Sequence, residues 1–422
     1  MIRALELLDG HKPDPASRWG WRCFQLGLLF LPASALIGAV LLFVALVLGS
    51  RQPLPWHHDR LNWLLAAIGL WMVIGCFGAS SGWLAWVGLG NWLPFFWGFW
   101  GFQPYVATPE ARRRVALWLV AGTVPVLVTG VGQMLLGWSG PYELFGGLIV
   151  WWIRGGGNPP GRLSGLFDYA NITAAWLALS WPLVLAAFLQ HCRSWRSGRL
   201  AFGLWGLGFA LVVTQVAEML LTDSRNGWGA LVLAVPIVLG PARWLWLLPL
   251  LLLALLPVAL ATLPGVPAVI QAPLRELVPQ SIWGRLNDFN SHGERPLALT
   301  RLSQWGTALG LIGERPWFGW GAAAFSVIYP LRTGHWHGHP HNIALDLAIS
   351  HGVPVAIGVV GVVLWLLIRA AAKGMVSGAL FERAWWAAAL VLMALHSSDI
   401  PMYDSRINIA GWILLAGLRC RI

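Results

Sequence analysis

The chain has 422 residues, of which 57% are apolar and only 11% charged, and a formal net charge of +11. Globular chains carry roughly 25% charged residues, so this composition excludes a water-soluble domain and makes lipid the solvent. Among the 28 basic residues only Lys12 and Lys373 are lysines, and Cys23, Cys76, Cys192 and Cys420 show neither metal-ligand nor redox spacing.

Apolar runs near the ~20 residues needed to cross a hydrocarbon core recur along nearly the whole length, without the short alternation of barrel strands, so they are read as helices. The predicted fold is all-α: a polytopic transmembrane helical bundle forming a single integral membrane domain over residues 1–422. Residues 16–50 are predicted to cross twice, with a break near Pro32-Ala33-Ser34, placing the N-terminal Arg3, Lys12, Arg18 and Arg22 inside. This first apolar run lacks a convincing cleavage site and is read as a retained helix. Basic clusters then mark cytoplasmic loops at Arg51 to Arg60, Arg112 to Arg114, Arg193 to Arg199, Arg243, Arg369 to Arg383, and Arg419 with Arg421. Between them lie paired spans at 61–79 and 86–105, 115–137 and 166–190, 201–221 and 226–240, 244–263 and 343–368, and 384–401 and 406–418. The expected total is about twelve spans, or eleven if residues 16–50 cross once. The 30 tryptophans suit membrane interfaces and helix contacts.

Residues 264–342 are expected outside as one long loop, exempt by its length from the positive-inside bias. It contains Arg275, Arg285, Arg295, Arg301, Arg315 and Arg332, and ends in a run from Gly334 to Asn342 with histidines at His335, His337, His339 and His341. A structureless loop of this length is uncommon, and the pattern from Leu297 to Gly313, stopped at Pro316, predicts a helix within it. Arg225, in the short turn from Thr222 to Gly227, and Arg162, ahead of the span at 166–190, add guanidinium groups near the same headgroup level.

Arg301 to Trp305, then Gly313 to Gly321 with Pro316, Gly319 and Gly321, then Phe325, resemble the arginine-tryptophan and "hPxfGxGxxxF" pattern of the O-antigen ligase and polymerase family of polytopic membrane glycosyltransferases. His339-Pro-His-Asn342 with Leu345 and Gly352 resembles its "HxHNxxL…G" signature, Ser224 to Trp228 its "SRg" turn, and Arg162 to Asn171 its "RxsGxfxxxN" motif. The resemblance covers most of the chain. Ala170 stands where proline is frequent and His351 where an acidic residue is frequent. The resemblance implies a metal-independent enzyme, without cofactor or nucleic-acid partner, in the bacterial cytoplasmic (inner) membrane. Its donor would be an undecaprenyl-diphosphate-linked glycan and its acceptor a glycan or lipid, met at the periplasmic face. Arg225, Arg301 and His341 take the family's two arginine positions and its histidine.

The chemistry suits those residue types. A departing diphosphate needs fixed cationic donors, and guanidinium groups meet phosphate through two hydrogen bonds at once. A sugar hydroxyl needs a base that titrates near neutrality, which is histidine. Around these, Arg162 and Asn171 are candidates for a phosphate or a sugar, and Gln304 shares the helical face of Arg301 with Trp305. His339, Asn342 and Asp346 flank His341, with Asn342 a candidate helix cap and Asp346 a candidate partner for the ring or for sugar hydroxyls. Each has a plainer reading. Arg225 reads equally as a snorkelling anchor, Arg301 as the partner of a carboxylate such as Glu294, and the alternating histidines as a metal-binding or merely polar tract. The pairing of acids that a glycosidase needs is not evident for Asp288, Glu294 and Glu314. Competing functions are a polymerase, a protein O-glycosyltransferase, and a small-anion transporter, for example of bicarbonate. Transporters commonly bind near the bilayer midplane, and neither a clear repeat nor mid-span charge is read here.

Overall fold

The computed structural model describes residues 12–14, 16–51, 55–192, 198–286 and 300–422. It opens with a helical hairpin, α1 (Arg18–Phe30) and α2 (Ala35–Gly49), capped by the hydroxyls of Ser17 and Ser34. Pro32 lies in the turn, where the break was expected. At 13 and 15 residues, both helices are shorter than the ~20 residues of a full crossing. After α3 (Arg60–Phe77) the predicted span 86–105 is not one helix. It is divided into α4 (Trp83–Gly88), a 3-10 turn, α5 (Leu93–Gly101) and α6 (Gln103–Val106). Gly88, Gly90, Pro94 and Pro104 explain the divisions, because proline lacks a donor and glycine lacks helix propensity.

The helices α7 (Pro109–Leu135) and α8 (Ala170–His191) flank a loop that holds a small antiparallel hairpin, β1 (Tyr142–Leu144) against β2 (Ile149–Trp151), which the sequence reading lacked. The next helices are α9 (Arg199–Leu221), α10 (Arg225–Leu239) and α11 (Trp244–Thr262). The long connection is partly helical, as expected, with α12 (Ala268–Leu277), α13 (Gln280–Leu286), α14 (Arg301–Glu314) and α15 (Ala324–Thr333). Thr300 caps α14, so the helix expected from Leu297 is described only from Arg301. Arg3, Arg193, Arg196, Asp288, Glu294, Arg295 and Leu297 lie outside the described residues.

The predicted span 343–368 is also divided, into α16 (Ile343–His351) and α17 (Val353–Ala372). Gly352 sits between them at φ 94°, and a Cβ there would lie 2.0 Å from the Trp317 carbonyl oxygen. The segment after Pro316 fills the break: Val353 N–H donates to the Pro316 carbonyl at 2.7 Å, and Trp320 N–H to that of Ile349 at 2.7 Å. The glycines of that segment are therefore steric requirements, since a Cβ on Gly319 would lie 2.4 Å from the Ile349 carbonyl oxygen. Finally, α18 (Leu380–His396) stops five residues short of the predicted end at 401, and α19 (Ser405–Arg419) closes the chain.

Among the described residues, six helices are long and apolar enough to cross a membrane: Arg60–Phe77, Pro109–Leu135, Ala170–His191, Arg199–Leu221, Pro241–Thr262 and Val353–Ala372. The α8 window is 72% buried inside the protein, whereas α9 and α11 are 6% and 11% buried. Apolar helices exposed to that degree are stable only against hydrocarbon, so α8 is core and α9 and α11 face lipid. Glu218, three residues before the end of α9, is buried and wedged against Gly130 of α7.

Hydrogen bonds sort the loops into two ends. At one end Trp151 Nε1 donates to the Ala33 carbonyl, Arg406 Nη1 to that of Leu166, Leu163 N–H to that of Leu221, Asn342 Nδ2 to that of Ser397, and Arg315 Nη1 to that of Gly78. At the other end Arg112 grips Glu382 through two 2.7 Å hydrogen bonds, Arg113 meets Gln190, and Arg419 meets Asp59. The first end is the one that carries the motif residues.

Candidate active site

The first turns of four of the helices that begin at that end carry the chemistry. α10 begins at Arg225 behind the Ser224 cap, α14 at Arg301 behind Thr300, α16 behind Asn342, and α8 at Ala170 with Asn171 following. The unpaired N–H groups of a helix start attract anions, so Arg225 and Arg301 add full charges to two backbones already suited to phosphate. Ala170 therefore starts its helix without the proline that its family resemblance led one to expect.

Arg162, Asn171, Ser224, Arg225, Asn226, Arg285 and Arg301 line one polar pocket of about 40 Å³, together with Asp223. Arg162 is held by Nε–H to the Thr222 carbonyl at 2.8 Å and by Nη2 to Asn171 Oδ1 at 2.6 Å. Arg285 of α13 bonds Asp223 through its Nε, 2.9 Å from Oδ2 and 3.2 Å from the carbonyl oxygen. Crowding four guanidinium groups is electrostatically costly. Burial lowers the pKa of Arg301, as does the charge of Arg225, while Asp399 opposes the shift. Burial lowers that of Arg162 as well, with Arg285 adding to it. Such a site gains most from a ligand of high negative charge.

The same network leads to the histidines. Asn171 Nδ2 donates to Asp399 Oδ2 at 3.0 Å, and Asp399 Oδ1 accepts from His341 Nδ1–H at 2.9 Å and from Ile400 N–H at 2.9 Å. Burial would raise the Asp399 carboxyl, but the hydrogen bond and charge of His341, helped by His339 and the Ile400 amide, hold it well below the usual carboxylate range. His341 adopts φ 51°, a left-handed conformation uncommon for a side chain of this size, and such strain is concentrated at functional sites. Its backbone N–H donates to His339 Nδ1 at 3.2 Å, and its Nε2 lies 2.8 Å from Nε2 of His337. Burial pushes His339 down to about 4, with His341 acting in the same direction, so its ring is neutral. His339, His341 and Asp399 also offer ligand atoms within 4.8 Å of one another, the spacing of a metal-binding group among the described residues.

The structure thus brings Arg162, Asn171, Arg225 and Arg301 to one pocket and joins His341 to it through Asp399 and Asn171. Other candidates have different places. Asp346 does not orient the His341 ring; it is buried, and its Oδ2 accepts the Tyr403 hydroxyl at 2.5 Å. Asn342 is the expected cap, accepting from Leu345 N–H at 3.1 Å and donating to Ser397. Gln304 is buried beneath Arg301 with its Oε1 unpartnered, and Trp305 reaches the Pro340 carbonyl at 2.9 Å, steadying the histidine loop. Sequence reasoning missed Asp399 because the predicted span 384–401 covered it. The polar triplet Ser397-Ser398-Asp399 is the signal that α18 ends earlier. Arg285 was one of six loop arginines with nothing in sequence to single it out.

The fold and site define a multi-pass helical membrane protein with a cationic pocket beside a histidine-carboxylate pair. Residues 210–360 match the family described as O-Antigen ligase, a stretch that holds Arg225, Arg285, Arg301 and the histidine run. The matched family is the one that its motifs resemble, and the match suggests a ligase- or polymerase-type membrane enzyme acting on glycan and lipid substrates. Comparison with curated proteins finds no match.

Proposed function

We propose that this protein is an O-antigen ligase-like glycosyltransferase that moves a glycan from undecaprenyl diphosphate to a lipid A-core or similar acceptor. In this reading the chain crosses the inner membrane about twelve times as one domain, and residues 264–342 lie on the periplasmic side. One observation supports it above the others: arginines from four separate stretches surround a pocket that hydrogen bonds connect to His341 through Asn171 and Asp399.

His341 takes the proton of the acceptor hydroxyl as its oxygen attacks the anomeric carbon. The bond from that carbon to the diphosphate oxygen breaks, and both electrons leave on the diphosphate. Arg225 and Arg301 receive the developing charge, with Arg162 and Arg285 beside them, and Asp399 steadies the imidazolium. No metal is needed for any step. A polymerase would share this donor chemistry and differ in the acceptor.

Alanine substitution of Arg225, Arg301 or His341 tests the proposal in a deletion strain, with glycan attachment followed on a carbohydrate-stained gel. Each variant is expected to abolish attachment at normal expression. Normal glycan display by all three would overturn the assignment.

A further inference from the structure

Both ring nitrogens of His341 are engaged: Nδ1 by Asp399 at 2.9 Å, and Nε2 by Nε2 of His337 at 2.8 Å. Two lone pairs cannot approach to that distance, so a proton lies between the rings, and the nitrogen a substrate would use is occupied. The two histidines are held very differently. His341 is fixed by Asp399, by its own backbone bond to His339, and by the Asn342 cap and Trp305 bond on either side of it. His337 packs against the Tyr329 ring at 6.4 Å and lies between Gly334, at φ 74°, and Gly338. Burial lowers its pKa, and His341 and Arg301 do so too while Asp399 and the Trp336 backbone oppose them, so the ring is predominantly neutral near pH 7.

We infer that His337 is a positioning residue that caps the base: its ring occupies His341 Nε2 until the acceptor hydroxyl displaces it, which selects that hydroxyl over water. The inference rests on the transferase reading. An uncapped His341 takes a proton from any water that reaches it, and the hydroxide attacks the anomeric carbon. The glycan is then released as a free sugar, and the diphosphate leaves with the bond's electrons. With the cap in place, the base is opened by an acceptor bulky enough to push the ring aside. His339 does not do this: its ring packs edge-on against that of His341 at 4.5 Å, and its Nδ1 accepts from the His341 backbone N–H, not from Nε2.

The test uses purified full-length protein with undecaprenyl diphosphate linked to a radiolabelled oligosaccharide, with and without lipid A-core, and separates free from lipid-attached label. His337→Phe keeps the ring volume without the hydrogen bond, and His337→Gln keeps an N–H able to reach Nε2. Without acceptor, His337→Phe is expected to release free oligosaccharide at least fivefold faster than wild type, and His337→Gln to stay near it. With acceptor, His337→Phe is expected to keep kcat within threefold while the acceptor KM falls. Adding His341→Ala to His337→Phe should abolish the release. Unchanged release by His337→Phe with normal transfer would overturn the cap, as would a hundredfold loss of transfer, which would make His337 part of the proton path. If wild type neither transfers nor releases label while folded, the transferase reading itself has failed, and the cap with it.

Discussion

Asp399→Asn removes one oxygen's charge and leaves the shape of the site. In the native protein this carboxylate accepts from His341 Nδ1, Asn171 Nδ2 and Ile400 N–H. An amide oxygen can keep the His341 and Ile400 bonds, but its NH2 then faces the Asn171 NH2, and the break runs toward Arg162. Hydrogen bonds to a charged group contribute about 1.5–3 kcal/mol, most of it here toward the imidazolium formed when the acceptor loses its proton. At about 1.4 kcal/mol per tenfold, the transfer rate should fall roughly 10- to 150-fold, and further if the ring settles in the wrong tautomer. The assay is single-turnover transfer from a labelled lipid-linked donor, with the thermal midpoint in detergent measured in parallel. A rate within twofold of wild type at an unchanged midpoint would refute the role of Asp399 as the group that orients and charges His341.

Gly352→Val places a branched side chain at φ 94° against the Trp317 carbonyl, so the variant should lose about 1–3 kcal/mol of stability or more and show a lower melting midpoint, whereas Gly361→Ala, with open space around it, should not. His339 supplies a pH dependence. Its folded pKa, about 4, lies below the unfolded value near 6.5, so between these limits the unfolded chain binds the extra proton and stability falls as pH falls. The loss is on the order of 3 kcal/mol across that window, and His339→Gln should flatten the pH dependence of the melting midpoint by a measurable part of it. At the opposite end, Arg112→Ala leaves Glu382 buried without its partner and should cost about 3–5 kcal/mol, while the double variant Arg112→Met, Glu382→Leu should recover much of that loss.

Fold class and most helices were legible because hydrocarbon imposes a single requirement, long apolar runs with internally satisfied backbones, which composition reveals directly. Breaks within those runs were less legible. Gly352 interrupts 343–368 because a distant segment, Pro316 to Gly321, packs there, and no local pattern announces a contact between residues so far apart. The positions of Arg225, Arg301 and His341 were read from motifs whose residues are adjacent in sequence. Asp399 and Arg285 reach the site through tertiary packing, Asp399 from a polar triplet that marks a helix end but not a site, and Arg285 from a stretch with no signature of its own. Asp346 misled for the complementary reason: it lies one turn beyond Asn342, near His341 in sequence, yet its carboxylate is turned to Tyr403.

The interruption at Gly352 leaves α16 only nine residues long, joined to a 20-residue α17 by a single glycine. A full-length span would transmit every tilt that a thicker or thinner bilayer imposes directly to the histidine at its tip. The short segment is instead seated on the Pro316–Gly321 strap and on Ser397, so its depth is referenced to its protein neighbours. In the transferase reading, the geometry of the proposed site would thereby be insulated from the lipid composition of the surrounding membrane.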